Sequence, residues 1–224
     1  MFQRLELLVG NENLKKIANK KILIVGIGGV GGACLEALVR SGFQNITIID
    51  NDTFDKTNLN RQILSTQNNI NNKKVLEGIL RAKSINPNIY INYYEIFLNE
   101  ANFDEIHIDK YDYVVDACDT TKTKILLIKE CLKNNIKIIS SMGTGNRLDP
   151  TKLQITSIWK TSYDPLAKLI RKELRKLNIK NNIPVVTSSE QPIKTNSTTI
   201  ASSTFVPNVA GFYIASYIFN DIIK

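Results

Sequence analysis

A glycine-rich loop directly after a short apolar run constrains this chain more than any other feature. The run Lys21–Ile27 is rich in β-branched residues, and its end, Gly26-Ile-Gly-Gly-Val-Gly31, fits the pattern G-x-G-x-x-G. The segment Val30–Arg40 then holds small and apolar residues typical of a packed helix. Glycines suit such a loop because side chains would keep phosphate oxygens away from backbone N–H groups, and a helix N-terminus favours negative charge. The pattern predicts a strand, a nucleotide-binding turn and a helix, with Gly26, Gly28, Gly29 and Gly31 in the turn.

Strands and helices alternate through the first 140 residues. The sequence predicts further buried strands at Asn45–Asp50, Ile89–Ile96, Tyr111–Ala117 and Ile136–Ser140, and helices at Lys73–Ser84 and Thr121–Asn134. This alternation predicts an α/β, Rossmann-like fold with a mainly parallel sheet and helices on both faces. Because crossover connections are right-handed, the loops that follow the strands should lie along one edge of the sheet. We expect the functional residues at that edge.

Two regions of the chain differ in pattern. Residues 1–150 are expected to form the nucleotide-binding domain, and residues 151–224 a C-terminal extension packed on the same domain. The extension is predicted to hold strands at Leu153–Trp159 and Pro184–Thr187 and a basic helix at 165–180. The apolar tail, Pro207–Ile222, is too short for a membrane span and contains polar residues, so we expect a helix buried against the sheet.

Composition limits the class of protein. The chain has 224 residues, of which 43% are hydrophobic and 22% charged, as in a globular protein. Its three cysteines form no C-x-x-C pair, so neither a disulfide framework nor a cysteine-rich zinc site is expected. The first ten residues lack the pattern of a signal peptide. We therefore expect a cytoplasmic protein without zinc and without a membrane association.

Charged residues near the predicted strand ends indicate which nucleotide binds. Asp50, at the tip of the second strand, can accept hydrogen bonds from ribose hydroxyls. Arg61 and Lys74 are cations expected at the mouth of the glycine loop, and Asp119 adds a carboxylate suited to Mg²⁺. Together these groups describe a triphosphate site from which pyrophosphate leaves. An NAD-dependent oxidoreductase would use the glycine loop and leave the two cations and Asp119 unexplained.

The same residues resemble the adenylating domain shared by ubiquitin-activating enzymes and the bacterial activators of sulfur-carrier proteins. The resemblance spans about residues 1–145 and rests on Gly26–Gly31, Asp50-Asn-Asp52, Asn58-Leu-Asn-Arg-Gln62, Lys74 with Ile85-Asn-Pro87, and Asp116-Ala-Cys-Asp119. It implies an ATP site, to which Asp52 also belongs, in which Asp50 binds the ribose, Arg61 and Lys74 contact the phosphates, Asn58 supports them and Asp119 helps to hold Mg²⁺. It also implies a homodimer, because Arg4 matches an arginine that reaches the ATP of the neighbouring subunit.

The second half of the chain resembles one branch of this superfamily, which dehydrates threonylcarbamoyladenosine in tRNA to its cyclic form. The matching segments are Ser141–Pro150, Gln154-Ile-Thr, Lys160-Thr, Asp164–Lys168 and Phe205–Gly211. The resemblance implies an ATP-dependent dehydratase of cyclising, ligase type that forms AMP and pyrophosphate, with a sulfur-relay protein as a candidate partner. The alternative is an adenylyltransferase that activates a ubiquitin-like sulfur-carrier protein, although the zinc-binding C-x-x-C pairs usual in those activators are absent.

The expected chemistry requires alignment more than proton transfer. A carboxylate that attacks the α-phosphate of ATP is already ionised at neutral pH, so charge neutralisation by Arg61, Lys74 and Asp119 should suffice. Cys118 lies beside Asp119, but we expect it to take no covalent part. The region from Glu190 to Thr204 looks shortened relative to the dehydratase branch.

The predicted helix at 165–180 carries much of the net charge of +8. Residues 1–110 hold 13 basic and 12 acidic side chains, whereas residues 111–224 hold 16 and 9. At 100° per residue, one face of the helix presents Lys168, Arg171, Lys172, Arg175 and Lys176, and the opposite face Leu166, Leu169, Ile170, Leu174 and Leu177. We expect the apolar face to pack and the cationic face to bind tRNA phosphates. A membrane surface is disfavoured because the apolar face lacks Trp and Phe.

Overall fold

A computed structural model describes residues 1–224 as one seven-stranded sheet flanked by helices. The strands are β1 (Lys21–Val25), β2 (Asn45–Ile49), β3 (Tyr90–Tyr94), β4 (Tyr113–Asp116), β5 (Lys137–Ser141), β6 (Leu153–Ser157) and β7 (Pro184–Ser188). Their order is β3-β2-β1-β4-β5-β7-β6, and every neighbouring pair is parallel except β6 with β7. The predicted α/β, Rossmann-like fold with a mainly parallel sheet is confirmed.

Seven α-helices accompany the sheet. They are α1 (Gln3–Val9), α2 (Asn11–Asn19), α3 (Gly29–Arg40), α4 (Lys74–Ile85), α5 (Thr121–Lys133), α6 (Pro165–Lys176) and α7 (Phe205–Ile223). The first two were not expected from the sequence; they are short, with seven and nine residues, and of their residues only Ile17 is buried. None of the helices combines the length and the hydropathy that a membrane span requires.

Alternate residues of each central strand supply two apolar layers. On β1, Ile22 and Ile24 face the layer that also contains residues of α3, α4 and α7, whereas Leu23 and Val25 face the layer built with α5 and α6. Burial on both faces explains why the central strands are continuous apolar runs. The carboxyl ends of these strands remain open between the layers, which leaves one edge free for a site.

The C-terminal residues extend this sheet. Strand β7 pairs in parallel with β5, at Ser140 with Val185, and β6 continues the sheet on the far side. Helix α7 packs mainly along α3, and it also contacts β5, β6 and β7. A Cβ atom at Gly211 would lie 2.3 Å from the Val30 carbonyl oxygen, so this glycine allows the two helices to approach closely. As a result, α7 covers the helix that follows the glycine loop.

Candidate active site

A pocket of about 370 Å³ opens at the carboxyl ends of β1, β2 and β4. It brings together nine of the residues predicted from the sequence: Gly26, Gly28, Gly29, Asp50, Asp52, Asn58, Arg61, Lys74 and Asp119. Gly31 lies outside the lining because it packs beneath the loop, and Arg4 lies on the exposed helix α1, away from the pocket of its own chain. The strand topology thus assembles residues that are up to 93 positions apart in the sequence.

The glycines of the loop serve different purposes. Gly26 has a φ of +83°, which side chains disfavour, and a Cβ at Gly31 would lie 1.8 Å from the Gly26 carbonyl oxygen. By contrast, the nearest atom to a Cβ at Gly28 would be Gln62 Nε2 at 3.7 Å, so packing alone does not require glycine there. The space that this Cβ would fill belongs to the pocket, at the N-terminus of α3. The loop therefore leaves room for an anion at the positive end of a helix.

Three side chains, those of Asp50, Asp52 and Lys74, fix the wall of the pocket beside the loop. The Asp50 carboxylate accepts hydrogen bonds from the backbone N–H groups of Ile27 and Asp52, both at 2.9 Å, and so ties β2 to the glycine loop. The Lys74 ammonium, on the first turn of α4, lies 2.8 Å from Asp52 Oδ2. Lys74 is buried while Asp52 is largely exposed, so the ion pair aims the cation into the pocket rather than into solvent.

Arg61 and Asn58 belong to the long connection between β2 and α4, residues 50–73. Arg61 Nη1 donates to the Thr57 carbonyl oxygen at 2.6 Å and to Asn60 Oδ1 at 3.0 Å. No acidic side chain pairs with the guanidinium, so its positive charge remains available to a ligand. Buried Asn58 accepts a hydrogen bond from the Asp55 backbone N–H and holds the turn that positions Arg61.

Asp119 is the carboxylate available to a cation in the pocket. Its side chain is exposed and accepts a hydrogen bond from Thr120 Oγ1 at 3.3 Å. No cluster of three or more His, Cys, Asp or Glu side chains could hold a metal ion by itself. A lone carboxylate beside a phosphate site still suits Mg²⁺, which keeps several waters and takes the rest of its ligands from the phosphates.

Cys118, next to Asp119, is poorly suited to act as a nucleophile. Its Sγ donates to Asp116 Oδ1 at 3.1 Å. Burial, followed by the nearby Asp116 charge, raises the pKa of this thiol well above its usual range. The reactive thiolate is therefore scarce at neutral pH.

Sequence reasoning missed an ion pair beneath the pocket. Lys124 and Asp116 are both completely buried, and Lys124 Nζ lies 3.0 Å from Asp116 Oδ1. The ammonium also donates to the Ser141 carbonyl oxygen at 2.7 Å and to Ser140 Oγ at 3.4 Å, which joins α5 to the ends of β4 and β5. The signal in the sequence is weak, because Lys124 ends the polar start of the predicted helix and directly precedes its apolar residues.

The C-terminal half also contributes to the pocket, which the sequence did not predict. Thr144, Ser202 and Pro207 line it. The connection before α7 is held there by hydrogen bonds to the turn that carries Arg61, including Asn60 Nδ2 to the Ser202 carbonyl oxygen at 2.9 Å. Gln62 also lines the pocket, and its buried Oε1 has no hydrogen-bond partner. These contacts make the site a joint product of both halves of the chain.

Helix α6 carries the predicted basic residues, with two departures from the prediction. Lys168, Lys172, Arg175 and Lys176 are exposed, whereas half-buried Arg171 donates to the Thr161 carbonyl oxygen at 3.2 Å and to the Thr161 hydroxyl. The expectation that all five leucines and isoleucines pack is wrong for Leu169 and Leu177, which are 52% and 49% exposed. The helix ends at Lys176, and Asn178 in the left-handed conformation (φ +56°) follows, so Leu177 lies beyond the last packed turn.

The chain belongs to the ThiF family, whose model matches residues 2–164. It is 38% identical to a tRNA threonylcarbamoyladenosine dehydratase of Bacillus subtilis, and the alignment covers 100% of this chain and 94% of that protein. It also resembles the solved structures of the Escherichia coli tRNA N6-threonylcarbamoyladenosine dehydratase in complex with ATP and with AMP. For both, the TM-score is 0.94 and the identity 32%, over 99% of this chain and 93% of the other.

The likeness to sulfur-transfer enzymes of the family is more limited. An adenylyltransferase and sulfurtransferase of Vanderwaltozyma polyspora is 34% identical, but the alignment covers 61% of this chain and 31% of that protein. The dehydratase of B. subtilis is matched by both halves of the chain. The likeness to the B. subtilis dehydratase therefore extends over the whole chain, whereas the likeness to the sulfurtransferase covers only part of it.

Proposed function

We propose that this chain is an ATP-dependent dehydratase that adenylates the carboxylate of threonylcarbamoyladenosine in tRNA and lets the product cyclise. The observation that carries the proposal is the pocket in which a glycine loop at a helix N-terminus faces Arg61 and Lys74. Such a site suits a triphosphate whose α-phosphate is attacked. The similarity to dehydratases over the full length of the chain supports the choice of substrate.

The first step is adenylation. One oxygen of the substrate carboxylate attacks the α-phosphorus of ATP, the bond from that phosphorus to the bridging oxygen breaks, and pyrophosphate leaves. The backbone N–H groups of the loop at Gly28 and Gly29, together with Arg61 and Lys74, offset the charge on the phosphates. Preorganised charges of this kind need no rearrangement as the transition state forms, because the Asp52 and Thr57 contacts already hold both cations.

The Asp119 carboxylate would hold Mg²⁺ in this site together with phosphate oxygens of ATP. Bound Mg²⁺ would neutralise the triphosphate and its leaving group. Asp50 would accept hydrogen bonds from the ribose hydroxyls in addition to the two backbone hydrogen bonds with which it secures the loop.

The second step is ring closure. A nucleophile on the same modified nucleoside attacks the acyl carbon of the mixed anhydride, AMP leaves with one former carboxylate oxygen, and the nucleophile loses a proton. The step requires no enzyme thiol. The raised pKa of Cys118 supports this intramolecular route.

The tRNA is expected to dock on the exposed cations of α6, and residues 151–224 would thereby present the substrate to the ATP site of residues 1–150. We further propose a homodimer in which Arg4 reaches the partner's pocket. Helix α1, which carries Arg4, supports this arrangement because its Leu7 and Leu8 side chains are almost completely exposed. Exposed apolar side chains of this kind are typical of a surface that another subunit covers. Because tRNA is its substrate, the enzyme would work in the cytoplasm.

The test uses the protein with ATP, Mg²⁺ and tRNA that carries threonylcarbamoyladenosine. We expect the nucleoside released from the product tRNA to be lighter by one water, in an amount matched by AMP. Omission of ATP is the control. An unchanged nucleoside, with transfer of AMP to a ubiquitin-like carrier protein, would favour the adenylyltransferase alternative.

A further inference from the structure

Tyr163 is an exposed aromatic residue in a conformation that a side chain disfavours. Its φ is +53°, and 56% of its surface is open to solvent. It immediately precedes Asp164, the N-cap of α6. A left-handed conformation is uncommon for a bulky residue and persists only where surrounding contacts impose it. Burial of the ring does not explain the conformation, because the ring packs into no core.

A buried arginine holds the backbone at Tyr163. The Arg147 side chain, 2% exposed, donates from Nη2 to the Tyr163 carbonyl oxygen at 2.9 Å and from Nε to the Glu190 carbonyl oxygen at 3.2 Å. Its Nη1 donates to the Gly143 carbonyl oxygen. One guanidinium therefore joins three separate segments of backbone, and Tyr163 lies in one of them.

Asp164 secures the same junction from the other side. Its Oδ1 accepts the Ala167 backbone N–H at 3.0 Å, which caps α6, while its Oδ2 accepts the Gly143 backbone N–H at 3.0 Å. Gly143 is followed by Thr144, which lines the nucleotide pocket. The position of Tyr163 is thus fixed both to the start of the cationic helix and to the wall of the pocket.

We propose that the Tyr163 ring is the surface on which an unpaired base of the tRNA stacks, a role that rests on the proposed function. Unpaired RNA bases are recognised by stacking on aromatic side chains, with cations nearby for the phosphates. Lys168 and Lys172 supply such cations on the first turns of the helix that follows. The exposed cations on the helix that follows Tyr163 favour a polyanion over a protein partner with an apolar surface.

The experiment compares Tyr163→Ala, Tyr163→Phe and Tyr163→Gly in tRNA binding, measured by fluorescence anisotropy at several salt concentrations. We expect Tyr163→Ala and Tyr163→Gly to weaken binding by about 5- to 100-fold, and Tyr163→Phe to stay within about twofold of the unchanged protein. Tyr163→Gly relieves the left-handed strain, so its fold should be at least as stable as that of the unchanged protein.

Salt dependence separates stacking from charge. Stacking releases no counterions, so Tyr163→Ala should lower the affinity for tRNA by the same factor at each salt concentration. By contrast, Lys172→Ala should reduce the slope of log affinity against log salt concentration by about 1. Tyr90→Ala is the matched control, because Tyr90 is 64% exposed on β3, at the opposite edge of the sheet from β6 and β7.

Two results would overturn the inference: unchanged tRNA affinity in Tyr163→Ala and Tyr163→Gly, or an equal loss in Tyr163→Phe. Failure of the proposed function would give a different result. The unchanged protein would then neither bind the tRNA nor dehydrate its modified nucleoside.

Discussion

Loss of the Lys124 charge should destabilise the protein strongly, and Lys124→Met is the variant that tests this. The ammonium is completely buried and donates to Asp116, Ser140 and Ser141 at 3.0, 3.4 and 2.7 Å. Without it, the buried Asp116 carboxylate keeps the Ser140 hydroxyl and the Cys118 thiol as partners but has no opposite charge. Removal of one member of a buried ion pair costs about 3–5 kcal/mol.

That loss is large against the total stability of a domain, which is about 5–15 kcal/mol. The double variant Asp116→Asn/Lys124→Met separates the cost of an unpaired charge from the value of the pair itself. Because no charge remains buried in it, we expect its free energy of unfolding to lie within about 2 kcal/mol of the original value. The two substitutions should therefore be strongly non-additive.

Urea denaturation, followed by far-ultraviolet circular dichroism and by the fluorescence of the single tryptophan, measures each free energy of unfolding. A loss below about 1 kcal/mol in Lys124→Met would refute the reasoning. The reasoning would also be refuted if the double variant lost as much free energy of unfolding as the two single variants lose together.

Three further predictions concern the pocket. Gly31→Ala should prevent stable folding, because its Cβ would lie 1.8 Å from the Gly26 carbonyl oxygen. Gly28→Ala should keep the melting temperature of the unchanged protein but bind ATP more weakly in calorimetry. Equal melting temperatures for the two variants would contradict this prediction. Arg61→Ala or Lys74→Ala should lower kcat for tRNA-dependent pyrophosphate release by about 10²- to 10³-fold, and a change confined to KM would contradict a role in the transition state. Cys118→Ser should keep activity within about twofold, since a thiol of raised pKa supplies little nucleophile; an inactive variant that still binds ATP would restore a covalent route.

Much of the pocket was predictable because its residues follow local patterns. The apolar run before Gly26 and the polar residues after Ile49 mark strand ends, and parallel topology brings such ends together. The charges of Arg61 and Lys74 then distinguish a triphosphate site from a dinucleotide site. These inferences required only the order of elements and the chemistry at each strand tip.

The remaining features depend on contacts between distant segments. Lys124 reads as an ordinary helix lysine until β4 and β5 bury it against Asp116. Ser202 reaches the pocket because the connection before α7 lies against the turn containing Asn60, a contact across 142 positions. Leu169 fits an apolar stripe, but no neighbouring element covers that part of α6, so the side chain remains exposed. Periodicity identifies a face of a helix and leaves open what packs against it.

The fate of the carboxylate oxygens tests the central claim, that the substrate carboxylate is adenylated, most directly. The tRNA would carry threonylcarbamoyladenosine with oxygen-18 in both carboxylate positions, and the AMP and pyrophosphate formed would be analysed by mass spectrometry. Attack at the α-phosphorus predicts one oxygen-18 atom in each AMP and none in pyrophosphate. Label in pyrophosphate, or unlabelled AMP with a dehydrated nucleoside, would contradict the account.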